Sequence, residues 1–140
     1  MNYPKENSMD SKKFATVLKE FSQLIGFEDF DALAQGAKLK IEDHVVSFIP
    51  GLGDAADTVR VYVDMGPLVG DAADGLRNLM ELNFLLSTGG RLMVCMHPTT
   101  HNIFLSFRYA LDQNASGQAL LDTTLRSISE LGYEVQTLVA

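Results

Sequence analysis

Three side chains able to hold a soft metal lie close together in the chain: Cys95, His97 and His101. Cys95 and His97, two positions apart on an extended segment, point to one side, and His101 can return across a hairpin. Zinc accepts such sulfur and nitrogen donors, with a carboxylate or water completing the set. The cluster is minimal, however, and histidines in hairpin loops commonly serve the turn. The expectation is a solvated turn beside a packed thiol, with no metal and no cofactor.

The pentapeptide Gly-Asp-Ala-Ala-Asp occurs twice, at residues 53–57 and 70–74. Paired aspartates suit a hard cation, but a calcium loop needs more oxygen ligands at regular spacing. A turn and a helix N-terminus sharing the same local chemistry account for both copies. Gly51-Leu52-Gly53 lacks the third glycine and the helix of a dinucleotide loop, and no Gly-Lys-Ser/Thr phosphate loop occurs. A Gly-x-Ser-x-Gly elbow is absent too. Asp43 and His44 are adjacent, with no third group to orient them. No residue is assigned a catalytic role, and the chain is expected not to be an enzyme.

Charge narrows the partners. Among 140 residues, 11 Lys and Arg stand against 18 Asp and Glu, a net charge of −7. Phosphate backbones are bound by clustered Lys and Arg, so nucleic acid is not an expected partner. Residues 1–41 are balanced, and the acidic excess lies in residues 42–140. An acidic surface keeps a protein soluble and attracts basic partners. The polar N-terminus lacks the apolar core of a secretory signal. No apolar run approaches the roughly 20 residues of a membrane span. A single cysteine excludes an intramolecular disulfide. The chain is read as one soluble cytoplasmic domain over residues 1–140, with a flexible tail at 1–9.

The elements that must position these residues follow from hydrophobic period. Phe14, Val17, Leu18, Phe21, Leu24 and Ile25 recur at helical spacing, from a start near Ser8 or Asp10 to a stop at Gly26. A short helical turn follows around residues 29–34. Leu39 and Ile41 then alternate with Lys38, Lys40 and Glu42, residues 45–49 form a β-rich run, and Val59, Val61, Val63 and Met65 alternate with Arg60, Tyr62 and Asp64. A second helix over residues 71–87 places Leu76, Leu79, Met80, Asn83 and Leu86 on one face, with Leu82, Phe84 and Leu85 off that stripe. A helix apolar nearly all round needs cover on two sides. Residues 91–96 and 103–109 form two strands, with Met93 and Phe104 on the face opposite Leu92, Val94, Ile103 and Leu105. A third main helix spans residues 116–131, ended by Gly132, before a tail at 132–140. The order α-β-β-β-α-β-β-α is α+β, with an antiparallel twisted sheet and three helices.

Three segments give this order a likeness. They are the opening helix Phe14-Ala-Thr-Val-Leu-Lys-Glu-Phe-Ser-Gln-Leu-Ile-Gly26, the leucine-rich Leu79-Met-Glu-Leu-Asn-Phe-Leu-Leu86, and the Gly89-Gly90, Leu92-Met-Val94 and Ile103-Phe-Leu105 hairpin. With the small size and acidic balance, the sequence resembles the class I type III secretion chaperones, the Tir/CesT chaperone family, over residues 10–131. The resemblance implies a homodimer in the cytoplasm of a Gram-negative bacterium, paired largely through the second helix. On that reading Leu79, Met80, Leu82, Asn83, Leu85 and Leu86 form the dimer interface. It further implies binding of the N-terminal segment of a secreted effector, held non-globular, with the secretion ATPase as a further partner and no nucleotide hydrolysed by the chaperone. Strand parity proposes Val46, Phe48, Met93 and Phe104 as landing sites for effector anchors. Affinity should then come from apolar contact and strand addition, with little dependence on salt. The alternative is a homodimeric regulatory or scaffold protein of the same fold without a secretion client.

Overall fold

Phe14, Val17, Leu18 and Phe21 share one helical face, and all four are buried in the computed structural model of the chain. Their helix, α1 (Pro4–Ile25), starts ahead of the expected Ser8 or Asp10. Proline at the first helical position sacrifices an N–H that would have no partner there anyway. Gly26 takes the left-handed conformation, with φ of 74°, and ends the helix as expected. The structure describes residues 4–36, 38–51, 57–86 and 92–136. The first Gly-Asp-Ala-Ala-Asp copy, apart from Asp57, and the Gly89-Gly90 break lie outside these.

A short helix, α2 (Phe30–Ala34), is capped by Asp29, whose carboxylate accepts from the Ala32 N–H at 3.1 Å. Five strands follow as β1 (Leu39–Ile41), β2 (His44–Pro50), β3 (Thr58–Pro67), β4 (Leu92–Met96) and β5 (Asn102–Ala110). The helix α3 (Ala72–Leu86) separates β3 from β4, and α4 (Gly117–Gln136) follows β5. All strand pairs are antiparallel, in the order β1-β2-β3-β5-β4. This is the expected α+β architecture. Glu42 and Asp43, with φ of 49° and 69°, form the two-residue turn that pairs Ile41 with His44. Positive φ at both central residues matches the twist of a tight hairpin.

The sheet carries helices on one face. Val59, Val61, Val63, Ile103, Leu105 and Phe107 are wholly buried there, under Leu18 and Phe21 of α1 and Leu120 of α4. Phe21 meets Phe48 edge-on, with ring centroids 5.0 Å apart. The start of α4 lies against α1 so closely that a Cβ at Gly117 would run into the backbone of Glu20 and Phe21. Ser116 caps α4, its Oγ accepting from the Ala119 N–H at 3.0 Å. The helix runs on to Gln136, past the stop expected at Gly132. One glycine costs a helix about 1 kcal/mol, which four further turns of packed helix before it can absorb. Among the described residues, no helix is long and apolar enough to cross a membrane.

Candidate functional site

The histidine loop is built for turning. The His97 ring Nδ1 accepts from the backbone N–H groups of Thr99 and Thr100, at 3.1 and 3.2 Å. The His101 N–H donates to the His97 carbonyl at 2.9 Å, and His101 takes a positive φ of 62°. Asp71, in the second Gly-Asp-Ala-Ala-Asp copy, caps α3 by accepting from the Ala73 and Asp74 N–H groups. Both expectations of local turn and cap chemistry hold at these positions. Among the described residues no three His, Cys, Asp or Glu side chains gather as a metal set.

The face of α3 differs from the sequence reading. Gly75 and Leu79 are buried and Leu82 and Leu86 are half-buried, so this stripe faces the core. Leu76 and Met80, expected on the same face as Leu79, lie outward with Phe84. Met80, Phe84 and Leu85 are 75%, 77% and 67% exposed. Of the six expected interface residues, Met80 and Leu85 thus present surface in the monomer, whereas Leu79 is committed to its core. Asn83 has an internal task. Its Oδ1 accepts from the Val94 N–H at 2.7 Å and its Nδ2 donates to the Val94 carbonyl at 2.6 Å. In an antiparallel pair, residues alternate between bonding the neighbour and pointing their polar groups away. Val94 is the central residue of the edge strand β4, and Asn83 takes both of its outward groups.

The four expected landing residues fall on opposite faces of the sheet. Val46 and Phe48 are wholly buried beneath the helices, so they offer no surface to a partner. The turn at Glu42-Asp43 sets this, because it pairs Leu39 with Val46 and both then face the core. Met93 and Phe104 do lie on the other face, as expected, which no helix among the described residues covers; Met93 is 45% exposed and Phe104 half-buried.

That open face consists of three rungs running across the strands. The first aligns Ile49, Arg60 and Arg108. The second aligns Ser47, Tyr62, Ser106 and Met93, and the third Val45, Asp64, Phe104 and Cys95. Phe104 makes edge-on contact with Tyr62, centroids 6.3 Å apart, and its ring lies 5.9 Å from that of His97. Together with Ile49, Cys95 and Lys38 they line a cleft of about 440 Å3. Burial pushes the Cys95 thiol pKa up, and the nearby Arg60 guanidinium partly opposes this. The Asp64 carboxylate accepts from Asn102 Nδ2 at 3.1 Å and from the Gly66 N–H at 2.9 Å. Tyr62, Ile49, Arg60, Arg108 and Ser106 were not singled out from sequence as site residues. The alternation of Arg60, Tyr62 and Asp64 with the valines of β3 is the signal that places them on one face.

No protein of curated function matches the chain in sequence. Among solved structures the fold is similar to the ExsC–ExsE complex, at TM-score 0.69 and 18% identity, covering 92% of this chain and 95% of that one. It is also similar to the Yersinia pestis type III secretion chaperone SycH in complex with a stable fragment of YscM2, at TM-score 0.58 and 17% identity, covering 89% and 98%. The HopA1–SchA chaperone–effector complex matches at TM-score 0.64 and 11% identity, covering 88% and 93%. At such identities these likenesses speak for the fold. The sequence itself matches the family model of the Tir chaperone protein (CesT) family over residues 16–131, from within α1 to within α4. With that span including every strand of the sheet, the chain belongs to the Tir chaperone protein (CesT) family.

Proposed function

We propose that this protein is a cytoplasmic type III secretion chaperone of a Gram-negative bacterium, binding the N-terminal region of a secreted effector as an extended, non-globular chain. The observation that carries the reading is the open sheet face, with its apolar cleft at Ile49, Tyr62 and Phe104, in a chain of a chaperone family. Extended segments bind such surfaces by laying alternate side chains into pockets, and can add a strand at a sheet edge. Solved structures of similar fold include a chaperone–effector complex and a chaperone holding a fragment of another protein, which supports the same use here. The work assigned is binding, with no covalent step.

Pairing of two copies through α3 is part of the proposal. Leu76, Met80 and Phe84 make an apolar stripe on one flank of the helix, and Leu85 lies on the other. Contiguous apolar surface of this kind marks an interaction site, and a second copy offers the same surface in return.

The test is recovery of the client by affinity purification from the native bacterium, followed by titration of its recombinant N-terminal fragment against the purified protein. Met93→Asp and Phe104→Asp should each weaken binding at least about tenfold while leaving the melting curve and the dimer intact. Tight binding by both folded variants would remove the open face from the reading. A deletion strain that secretes every effector normally would overturn the chaperone function itself.

A further inference from the structure

The open face does not share the charge of the chain. Its strand positions carry Lys40, Arg60 and Arg108 against Asp64 alone, and Lys38 joins them at the cleft, in a protein whose net charge is −7. Arg60 and Arg108 are direct cross-strand partners. Directly opposed side chains on antiparallel strands have Cβ atoms about 4.5–5.5 Å apart, and like charges so placed destabilise the pair. An arrangement that costs the free protein stability is one an anionic group would relieve, since a carboxylate accepts from two guanidinium groups at once.

Resting on the chaperone reading above, we propose that the open face takes an extended client segment carrying carboxylates between its apolar anchors, with one carboxylate received jointly by Arg60 and Arg108. The spacing fits. Same-side residues of an extended chain repeat every about 6.5–7 Å, which is also the separation of the rungs along each strand. A segment lying along β3 sets an acidic side chain on the arginine rung. Its next same-side residue is apolar, against Tyr62 and Met93, and the one after lies against Phe104. Negative charge on the client, two residues from an apolar anchor, is the recognition pattern. This reverses the expectation of a basic partner, which followed from the net charge of the chain, and that of little dependence on salt, which followed from apolar anchoring.

The probe is the fluorescently labelled peptide Glu-Ser-Leu-Ser-Phe-Ser-Leu-Ser-Glu, which presents the pattern in either direction, titrated against the full chain by anisotropy. Peptides with Gln or Lys in place of both Glu are its controls. The Glu peptide should bind with a dissociation constant below about 1 mM, and the Lys peptide at least about tenfold more weakly. Raising ionic strength from about 0.05 to 0.5 M should weaken the Glu peptide severalfold. Arg60→Gln with Arg108→Gln should remove the preference for Glu over Gln, while the melting temperature of the free protein stays level or rises. Equal binding of the Glu and Lys peptides, or no binding of the Glu peptide at about 1 mM, overturns the proposal. The client fragment separates this proposal from the reading beneath it. Binding lost on Phe104→Asp but indifferent to the arginine substitutions retires the acidic pattern and keeps the chaperone. Indifference to both removes the open face as a site.

Discussion

The helices α1 and α3 are both amphipathic, but the monomer treats them differently. α1 buries most of its apolar stripe, with Phe14, Val17, Leu18 and Phe21 in the core and Ile25 partly buried, and only Leu24 near its end, expected on the same stripe, is exposed. α3 buries Gly75 and Leu79, and leaves Leu76, Met80, Phe84 and Leu85 in solvent. The first helix is thus an internal wall, and its residues are read as stability. The third has a second apolar side that is exposed among the described residues, the side that the proposed pairing of two copies would cover. Apolar period reports that a helix has something to bury, and only the coverage shows whether its own chain does the burying.

The sharpest way to break this contrast is to cut each helix in turn. Phe21→Ala removes a wholly buried ring in edge-on contact with Phe48. Urea unfolding should show a loss of about 3–5 kcal/mol. Asn83→Ala strikes α3 on its inward side and strips both outward polar groups of Val94 of their partner. The expected loss is about 1–3 kcal/mol, with faster amide exchange at Val94 as its local signature. Met80→Asp strikes the outward side. It should change the stability of the fold by about 0.5 kcal/mol or less, while light scattering follows a dimer falling to a monomer. A large fall in melting temperature in the monomeric state would show that the outer stripe belongs to the core after all.

The smallest effect concerns the open face. Burial raises the Cys95 thiol pKa and Arg60 lowers it in part, so at neutral pH less thiolate is present than on a free cysteine. Alkylation by iodoacetamide should therefore be slower than for a free thiol at pH 7 and should gain rate at a higher pH than usual. Arg60→Gln should slow it further at a given pH, because the opposing influence is gone. Faster alkylation in that variant would show that access, and not ionisation, limits the reaction.

Much of the fold is legible in the sequence because its elements differ cleanly in period. Val59 to Met65 can alternate only as a strand with one buried face, and Phe14 to Phe21 can pack only as a helix. Legibility stops where both sides of an element are apolar. Leu76, Leu79, Met80, Leu82, Phe84 and Leu85 cover most of the circumference of α3, so no single stripe follows from their order. The β2 strand has the same ambiguity. Val45 and Ile49 face outward while Val46 and Phe48 face the core, and the two sets are equally apolar. The register that decides between them comes from the Glu42-Asp43 turn, whose residues favour positive φ less strongly than the usual Asn-Gly. The site was hidden for a related reason, since the grouping of Arg60 with Arg108 depends on β5 lying beside β3.

The Asn83 amide at β4 has a consequence for what the sheet can become. A strand with both outward polar groups available is a template for another strand, and a sheet open at both margins can be extended copy upon copy without limit. By occupying the middle of β4 with a side chain that mimics one peptide unit of a neighbour, the protein closes one margin. The other margin, β1, is three residues long. Two copies that met margin to margin at β1 would leave no receptive margin between them, so growth copy upon copy would stop at a pair. On the chaperone reading proposed above, this single valence separates pairing from seeding a fibre.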